Sequence, residues 1–260
     1  MSTDPTSVFT IRDLRASVPI VGGPGLQILR GVDLEIGSGE VHALMGRGDY
    51  EVTGGSVTID GEELLGLPTW ERANRGLFLG MQYPVSVPGV PVGELLASAV
   101  RAGGGDASGL PARLASEAAR LAVGDEFLAR GVNDEFSGGE QKRMETLQLA
   151  VLKPKFAILD EIDSGLDVDA LRDVSRRVEA MTSEDGLGVL AITHYSRLLT
   201  ELRPDRVHVL MAGRVVASGG PELADRLEET GYEGLAAELG IDALSVERPK
   251  EADPFAEPGL

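Results

Sequence analysis

The sequence has no cysteine, which excludes disulfides and thiolate metal sites and permits a reducing compartment. Only three histidines occur, leaving little room for a zinc site. Basic residues are scarce: 24 Lys and Arg stand against 42 Asp and Glu, a formal net charge of −18. That balance argues against a nucleic-acid partner, which needs net or clustered positive charge. It argues equally against polybasic contact with anionic lipid. No apolar run reaches the roughly 18 residues that a membrane span needs. Met1 to Ser7 is polar and leads into nothing like a secretory signal. The expectation is a soluble, cytoplasmic protein.

What remains is globular in composition: 260 residues and 27.4 kDa, 42% hydrophobic and 25% charged, with a mean hydropathy near zero. That length suits one large domain or two small ones. A chain of this size buries roughly 70–75% of its unfolded surface, enough for an independent core. The sequence shows no internal repeat.

Short β-rich runs bounded by glycine fill the first third: Val8–Ile11, Val32–Ile36, Val41–Met45, Ser56–Ile59 and Leu77–Met81. Between Gly89 and Glu135 alanine, leucine, glutamate and arginine dominate, which predicts a helical insert with a loop at Gly103–Gly109. From Ser137 long helices alternate with short strands. The helix after Gly139 sets Met144, Leu147 and Val151 on one face, and the helix after Asp167 does so with Leu171, Val174, Val178 and Met181. Strands are predicted at Phe156–Asp160, Gly188–Thr193, Arg206–Leu210 and Arg214–Ala217. Such alternation predicts an α/β fold with a mostly parallel sheet covered by helices. Residues 248–260, rich in proline and acids, read as a mobile tail.

The chemistry concentrates in a few motifs. Phe156–Glu161 is an apolar strand that ends in two carboxylates, which an open α/β sheet places at its ligand crevice. The first acid, Asp160, can hold Mg²⁺ through water; the second, Glu161, can polarise an attacking water. An ordinary acidic turn would look the same, so context decides. Asp163–Asp167 follows at once, and a second apolar strand ends in Thr193-His194. Upstream, Ser137-Gly138-Gly139-Glu140 opens a helix with a capping box. Two glycines in a first turn cost about 1 kcal/mol each. They make sense where backbone N–H groups must approach an anion at the positive helix end.

In this order and spacing the motifs resemble the ATP-binding-cassette ATPases. Ser137–Glu140 resembles their signature motif, Ile158–Glu161 the Walker B strand, Ser164–Asp167 the D-loop, His194 the switch histidine and Gln82 the Q-loop glutamine. A narrower resemblance is to the SufC-type ATPases of the SUF iron–sulfur cluster assembly system. It is carried by Asp49–Gly55, Gln82–Pro84, Phe136–Arg143, Asp160–Asp167 and Thr193–Tyr195. Transporter ATPases usually have proline where Ile162 stands here. The resemblance runs from Val8 to Leu239.

The resemblance implies a single nucleotide-binding domain over residues 1–260. Its RecA-like core takes in about residues 8–83 and 150–240, with an N-terminal β-subdomain and a helical subdomain over about 84–149. It implies ATP and Mg²⁺ as ligands, with Gln82 and Asp160 on the metal, Glu161 activating water and His194 at the γ-phosphate. Ser137, Gly138, Gly139 and Glu140 would reach the ATP of a second copy in a transient head-to-tail homodimer, and Asp167 would communicate between sites. It further implies docking onto the SufB and SufD scaffold subunits near Tyr83–Val90, without direct membrane insertion.

One departure stands against these matches. Val41–Gly46 resembles the strand that leads into the P-loop, yet Gly46 is followed by Arg47-Gly48-Asp49-Tyr50, and no Gly-Lys-Ser/Thr occurs anywhere. Roughly fifteen residues of Walker A loop and helix are missing relative to the family pattern. Losing three or four hydrogen bonds to charge, at about 1.5–3 kcal/mol each, removes most of the roughly 8 kcal/mol of a micromolar site. The chain's own ATP site is therefore expected to be impaired. A parallel crossover to the strand near Ser56 needs about 10–12 residues, Gly46 to Gly55 barely supplies them, and one sheet face is expected to lose its covering helix and expose apolar surface. The alternatives are a non-hydrolysing cassette that contributes only its signature motif in trans and, more weakly, a transporter ATPase subunit.

Overall fold

A computed structural model describes residues 7–18, 26–45, 51–193 and 196–240. Gly46, Asp49, Tyr50, His194, Tyr195 and the tail at 248–260 lie outside the described residues. The chain runs through β1 (Val8–Val18), β2 (Leu26–Gly37), β3 (Val41–Met45), β4 (Glu51–Ile59), β5 (Glu62–Glu63), α1 (Thr69–Asn74), β6 (Leu77–Gly80), β7 (Val87–Pro91), α2 (Val92–Ala102) and α3 (Leu110–Arg120). It continues through α4 (Asp125–Ala129), β8 (Gly131–Val132), α5 (Gly138–Leu152), β9 (Phe156–Asp160), α6 (Val168–Asp185), β10 (Gly188–Ile192), α7 (Ser196–Leu202), β11 (Arg206–Met211), β12 (Arg214–Gly219) and α8 (Glu222–Glu238).

Two sheets organise these elements. One is six-stranded, ordered β12-β11-β3-β10-β9-β6, and parallel apart from β12. The other is antiparallel, ordered β2-β1-β4-β5. Strand period explains the layering, because alternate side chains leave opposite faces. Val41, Ala157, Leu159, Val189 and Ala191 pack under the helices with Leu171, Val174, Val178 and Met181 of α6. Phe156 and Leu190, one residue out of phase, pack against Phe9, Ile11 and Ile36 of the antiparallel sheet. The Phe9 and Phe156 rings lie 5.8 Å apart. Gly188 is required there, since a Cβ would stand 2.4 Å from the Phe156 ring.

The predicted strands and the two long helices are all present. The N-terminal strands are longer than predicted, β1 running on to Val18, β2 starting at Leu26 and β4 at Glu51, whereas Leu77–Met81 and Gly188–Thr193 each stop one residue early. The insert is helical but contains the β7–β8 pair, and Leu96, Leu114, Leu121, Phe136, Met144, Leu147 and Val151 form its core. It is tied to the parallel layer by the buried Arg177 on α6. Its Nε and a terminal nitrogen donate to both Glu117 carboxylate oxygens of α3, at 2.7 and 3.1 Å. The stripe expected along α5 was too narrow: Lys142, Glu145, Thr146, Leu149 and Ala150 are buried as well. Helices pack around it from more than one side.

The expected crossover between Gly46 and Ser56 is corrected. β3 belongs to the parallel sheet, but β4 pairs antiparallel with β1 in the other sheet. The connection therefore changes layer and needs no helix-length crossover, and only residues 46–50 separate the two strands. On edge strand β6, Leu79 is 55% exposed.

A buried histidine pair joins β3 and β11. His42 Nδ1 lies 3.0 Å from His208 Nε2, His42 Nε2 lies 3.2 Å from Glu40 Oε2, and His208 Nδ1 lies 2.7 Å from Ser218 Oγ. One tautomer set satisfies all three contacts. Ser218 donates to His208, His208 to His42, and His42 to the Glu40 carboxylate. Burial lowers both imidazole pKa values, that of His208 to about 4.

Candidate functional site

The carboxyl ends of β9 and β10 and the segment after β6 converge where an open sheet exposes its crevice. Asp160 ends β9 and is half-buried; burial and then the neighbouring Glu161 charge raise its pKa, against the pull of Lys142. Glu161 is buried, with φ +45°, an unusual backbone for a non-glycine residue. Its N–H donates to the Ile192 carbonyl at 2.8 Å and its carbonyl accepts from Ser164 N–H at 3.0 Å. These contacts hold the strained turn in place. Gln82 Nε2 donates to Glu161 Oε2. The structure thus brings together Gln82, Asp160 and Glu161, predicted separately from sequence.

Behind them, Thr193 Oγ1 stands 3.4 Å from both carboxylate oxygens of the buried Asp163. Asp167 caps α6, accepting from Ala170 N–H at 2.7 Å, which is sufficient structural reason for that residue. Ser137 caps α5 in a complete capping box, with Glu140 Oε2 accepting from Ser137 N–H and Oγ at 2.7 Å. The hydroxyl contacts hold the Glu140 carboxyl below its usual range. Gly138 is exposed and Gly139 half-buried. A Cβ at Gly138 or Gly139 would meet its nearest neighbours only at 3.6 Å and 3.8 Å. The fold itself therefore does not demand glycine at either position. His194 and Gly46 lie outside the described residues.

Asp160 and the Gln82 amide oxygen are hard donors suited to Mg²⁺, which keeps several waters and takes only one or two carboxylates. A cation there would relieve the crowding of Asp160 with Glu161. The open N-terminus of α5 fits a phosphate brought by another molecule. A phosphate cradle within this chain fits poorly, because the sequence from Met45 to Glu51 holds neither lysine nor Ser/Thr.

Sequence reasoning missed Lys142 and Glu145. Both are buried on α5, with Lys142 Nζ 3.3 Å from Glu145 Oε2. The signal was available as two opposite charges at i and i+3 flanking Met144 on an otherwise apolar face. No group of three or more His, Asp or Glu among the described residues is placed to hold a metal. No described helix is long and apolar enough to cross a membrane.

Comparison with known proteins gives a consistent result. A family model described as ABC transporter matches residues 47–164. The chain is 46% identical to Vegetative protein 296 of Bacillus subtilis, over 92% of this chain and 97% of that one. It is 44% identical to a probable ABC transporter ATP-binding protein of Streptococcus pyogenes, over 91% and 98% of the two chains. It is 40% identical to the probable ATP-dependent transporter ycf16 of Cyanophora paradoxa, over 90% and 97%. Among solved structures, the ATP-binding subunit of an ABC transporter superposes with a TM-score of 0.71 at 24% identity, covering 90% of this chain and 99% of that one.

Proposed function

The chain belongs to the ATP-binding-cassette family, and on that premise we propose that it is the nucleotide-binding subunit of an assembly whose working state is set by ATP. The observation that carries this reading is the convergence of Asp160, Glu161 and Gln82 at one sheet edge, joined by the Gln82–Glu161 hydrogen bond. Magnesium ATP, when bound, supplies a phosphoanhydride whose hydrolysis releases energy. Asp160 and Gln82 would hold the metal, Glu161 would orient and deprotonate water, and His194 would face the transferring phosphoryl group. Gly138 and Gly139 would offer N–H donors to nucleotide held by a second cassette, with Ser137 capping the helix beside them and Asp167 at the shared boundary. Glu140 serves through the capping box.

Two features refine the proposal. The five-residue link between β3 and β4 leaves the chain's own phosphate cradle incomplete, so its own site is impaired and its stronger contribution is made in trans. Leu79, Met81, Tyr83, Val85 and Val87 are all exposed, Tyr83 and Val85 at 78% and 60%. Exposed apolar side chains gathered in one short segment suit a docking partner. By the narrower resemblance, including Ile162 in place of proline, the partners are the SufB and SufD scaffold subunits. The names of the relatives speak for a second reading, a subunit that energises a transporter.

The test is equilibrium Mg-ATP binding to the full chain, followed by mixing with a purified SufB–SufD scaffold. No binding below millimolar ATP is expected, together with a scaffold complex that Val85→Asp disrupts. Micromolar ATP binding would refute the impaired site. A scaffold that leaves the chain unbound would refute the SUF reading. In a mixed dimer with a complete cassette, ATPase activity should depend on Ser137 and tolerate Glu161→Gln.

A further inference from the structure

We propose that the buried Lys142–Glu145 pair is a positioning device that holds Gln82 over Glu161 and ties its place to that of α5. The pair takes both backbone groups of one residue. Glu145 Oε1 accepts from Met81 N–H at 2.8 Å, and Lys142 Nζ donates to the Met81 carbonyl. Parallel pairing of β6 with β9 proceeds from Leu77 opposite Phe156 to Gly80 opposite Leu159. One more step would put Met81 opposite Asp160. Instead its N–H and C=O are taken by α5, and the strand ends at Gly80.

That diversion has two consequences. The edge of β9 beside Asp160 is left without a ladder partner from β6. The next residue, Gln82, turns across to donate to Glu161. Close approach is built in, since a Cβ on Gly80 would meet Leu159 at 3.0 Å and a Glu145 oxygen at 3.6 Å. The clamp is also directional. Lys142 sits one turn beyond Gly138 and Gly139, so displacement of the exposed α5 N-terminus carries Met81, and hence Gln82, with it. Burial pushes the Glu145 carboxyl up while Lys142 opposes that push, so the pair is retained at a desolvation cost that packing alone would not demand. The functional weight of this placement rests on the reading of Gln82 as a metal-side residue; the placement itself is testable without nucleotide.

The experiment is backbone amide exchange, together with the Gln82 side-chain amide resonance, on the full chain without ligand. The variant Lys142→Met/Glu145→Leu replaces both partners with apolar groups of similar size, which avoids an orphaned buried charge. Exchange at Met81 should speed up about tenfold, the loss of roughly one hydrogen bond. The Gln82 side-chain resonance should move to its solvent-exposed position, while amides of 147–151 keep wild-type rates. Glu145→Gln retains an acceptor oxygen for Met81 N–H and should restore both signals. If the double substitution does not fold, Lys142→Met alone serves: it removes the donor to the Met81 carbonyl and leaves Glu145 a carboxyl already pushed up by burial, and the Gln82 resonance should still move toward its solvent-exposed position. Unchanged Met81 exchange and Gln82 resonance in the double variant would overturn the proposal. So would faster exchange spread evenly through α5 and β9, or failure of Glu145→Gln to retain the wild-type signals.

Discussion

Replacing His208 by glutamine should remove a defined pH dependence from folding. In the native chain His208 is buried beside His42, and its pKa falls to about 4. Unfolded, it titrates near 6.5. Between these values the unfolded chain binds a proton that the native chain refuses, so stability falls as pH drops below 6.5. Above 6.5 the contribution is fully present. Linkage puts the loss between pH 7.5 and pH 5 at about 2 kcal/mol, or nearer 1 kcal/mol once solvent screening beside exposed Glu40 is allowed for. Arg206 opposes protonation further, whereas Glu40 and Asp205 favour it at His42. Glutamine can keep the donor to His42 but cannot titrate. Urea unfolding followed by far-ultraviolet circular dichroism at both pH values gives the comparison. The stability difference between wild type and His208→Gln should shrink by 1–2 kcal/mol on going to pH 5. A difference independent of pH would refute the reasoning, because carboxylate titration is common to both proteins.

Arg177→Met leaves Glu117 buried without its bidentate partner and should cost about 3–5 kcal/mol, read as a fall in urea midpoint. Gly188→Ala drives a methyl into the Phe156 ring and should cost about 1–3 kcal/mol in the same assay. Ser137→Ala removes the α5 cap for about 1 kcal/mol, a modest change in melting temperature beside a full loss of trans activity in a mixed dimer. Leu79→Ser, on the exposed sheet edge, should change stability by less than about 0.5 kcal/mol.

Much of this was legible before any coordinates. Glycine-bounded apolar runs located the strands, and a period of 3.6 located both long helices, although only α6 buries the single face its pattern predicts. Ser137 and Glu140 announced their capping box, since capping depends on residues three apart and on nothing distant. Gln82 and Glu161 were named through separate motifs, although no local rule brings residues 79 positions apart into contact. The destination of β4 was misread because a strand's sequence records that it pairs, not in which layer. Lys142 and Glu145 were passed over for a related reason. Their purpose is set by the Met81 backbone, which arrives from another element and contributes no side chain to the pattern.

The change of layer between β3 and β4 has an evolutionary meaning. Each strand draws its pairing from elements on its own side of the joining span or far from it, β3 from β10 and β11, and β4 from β1 and the adjoining β5. The span joining them is thus a bridge between two structures that stand without it. Residues there can be lost or gained at the cost of ligand chemistry, while the pairing energy of both sheets is spared. In such an architecture catalytic competence and foldability are severable traits, and a lineage can shed the first while selection for partnership preserves the second.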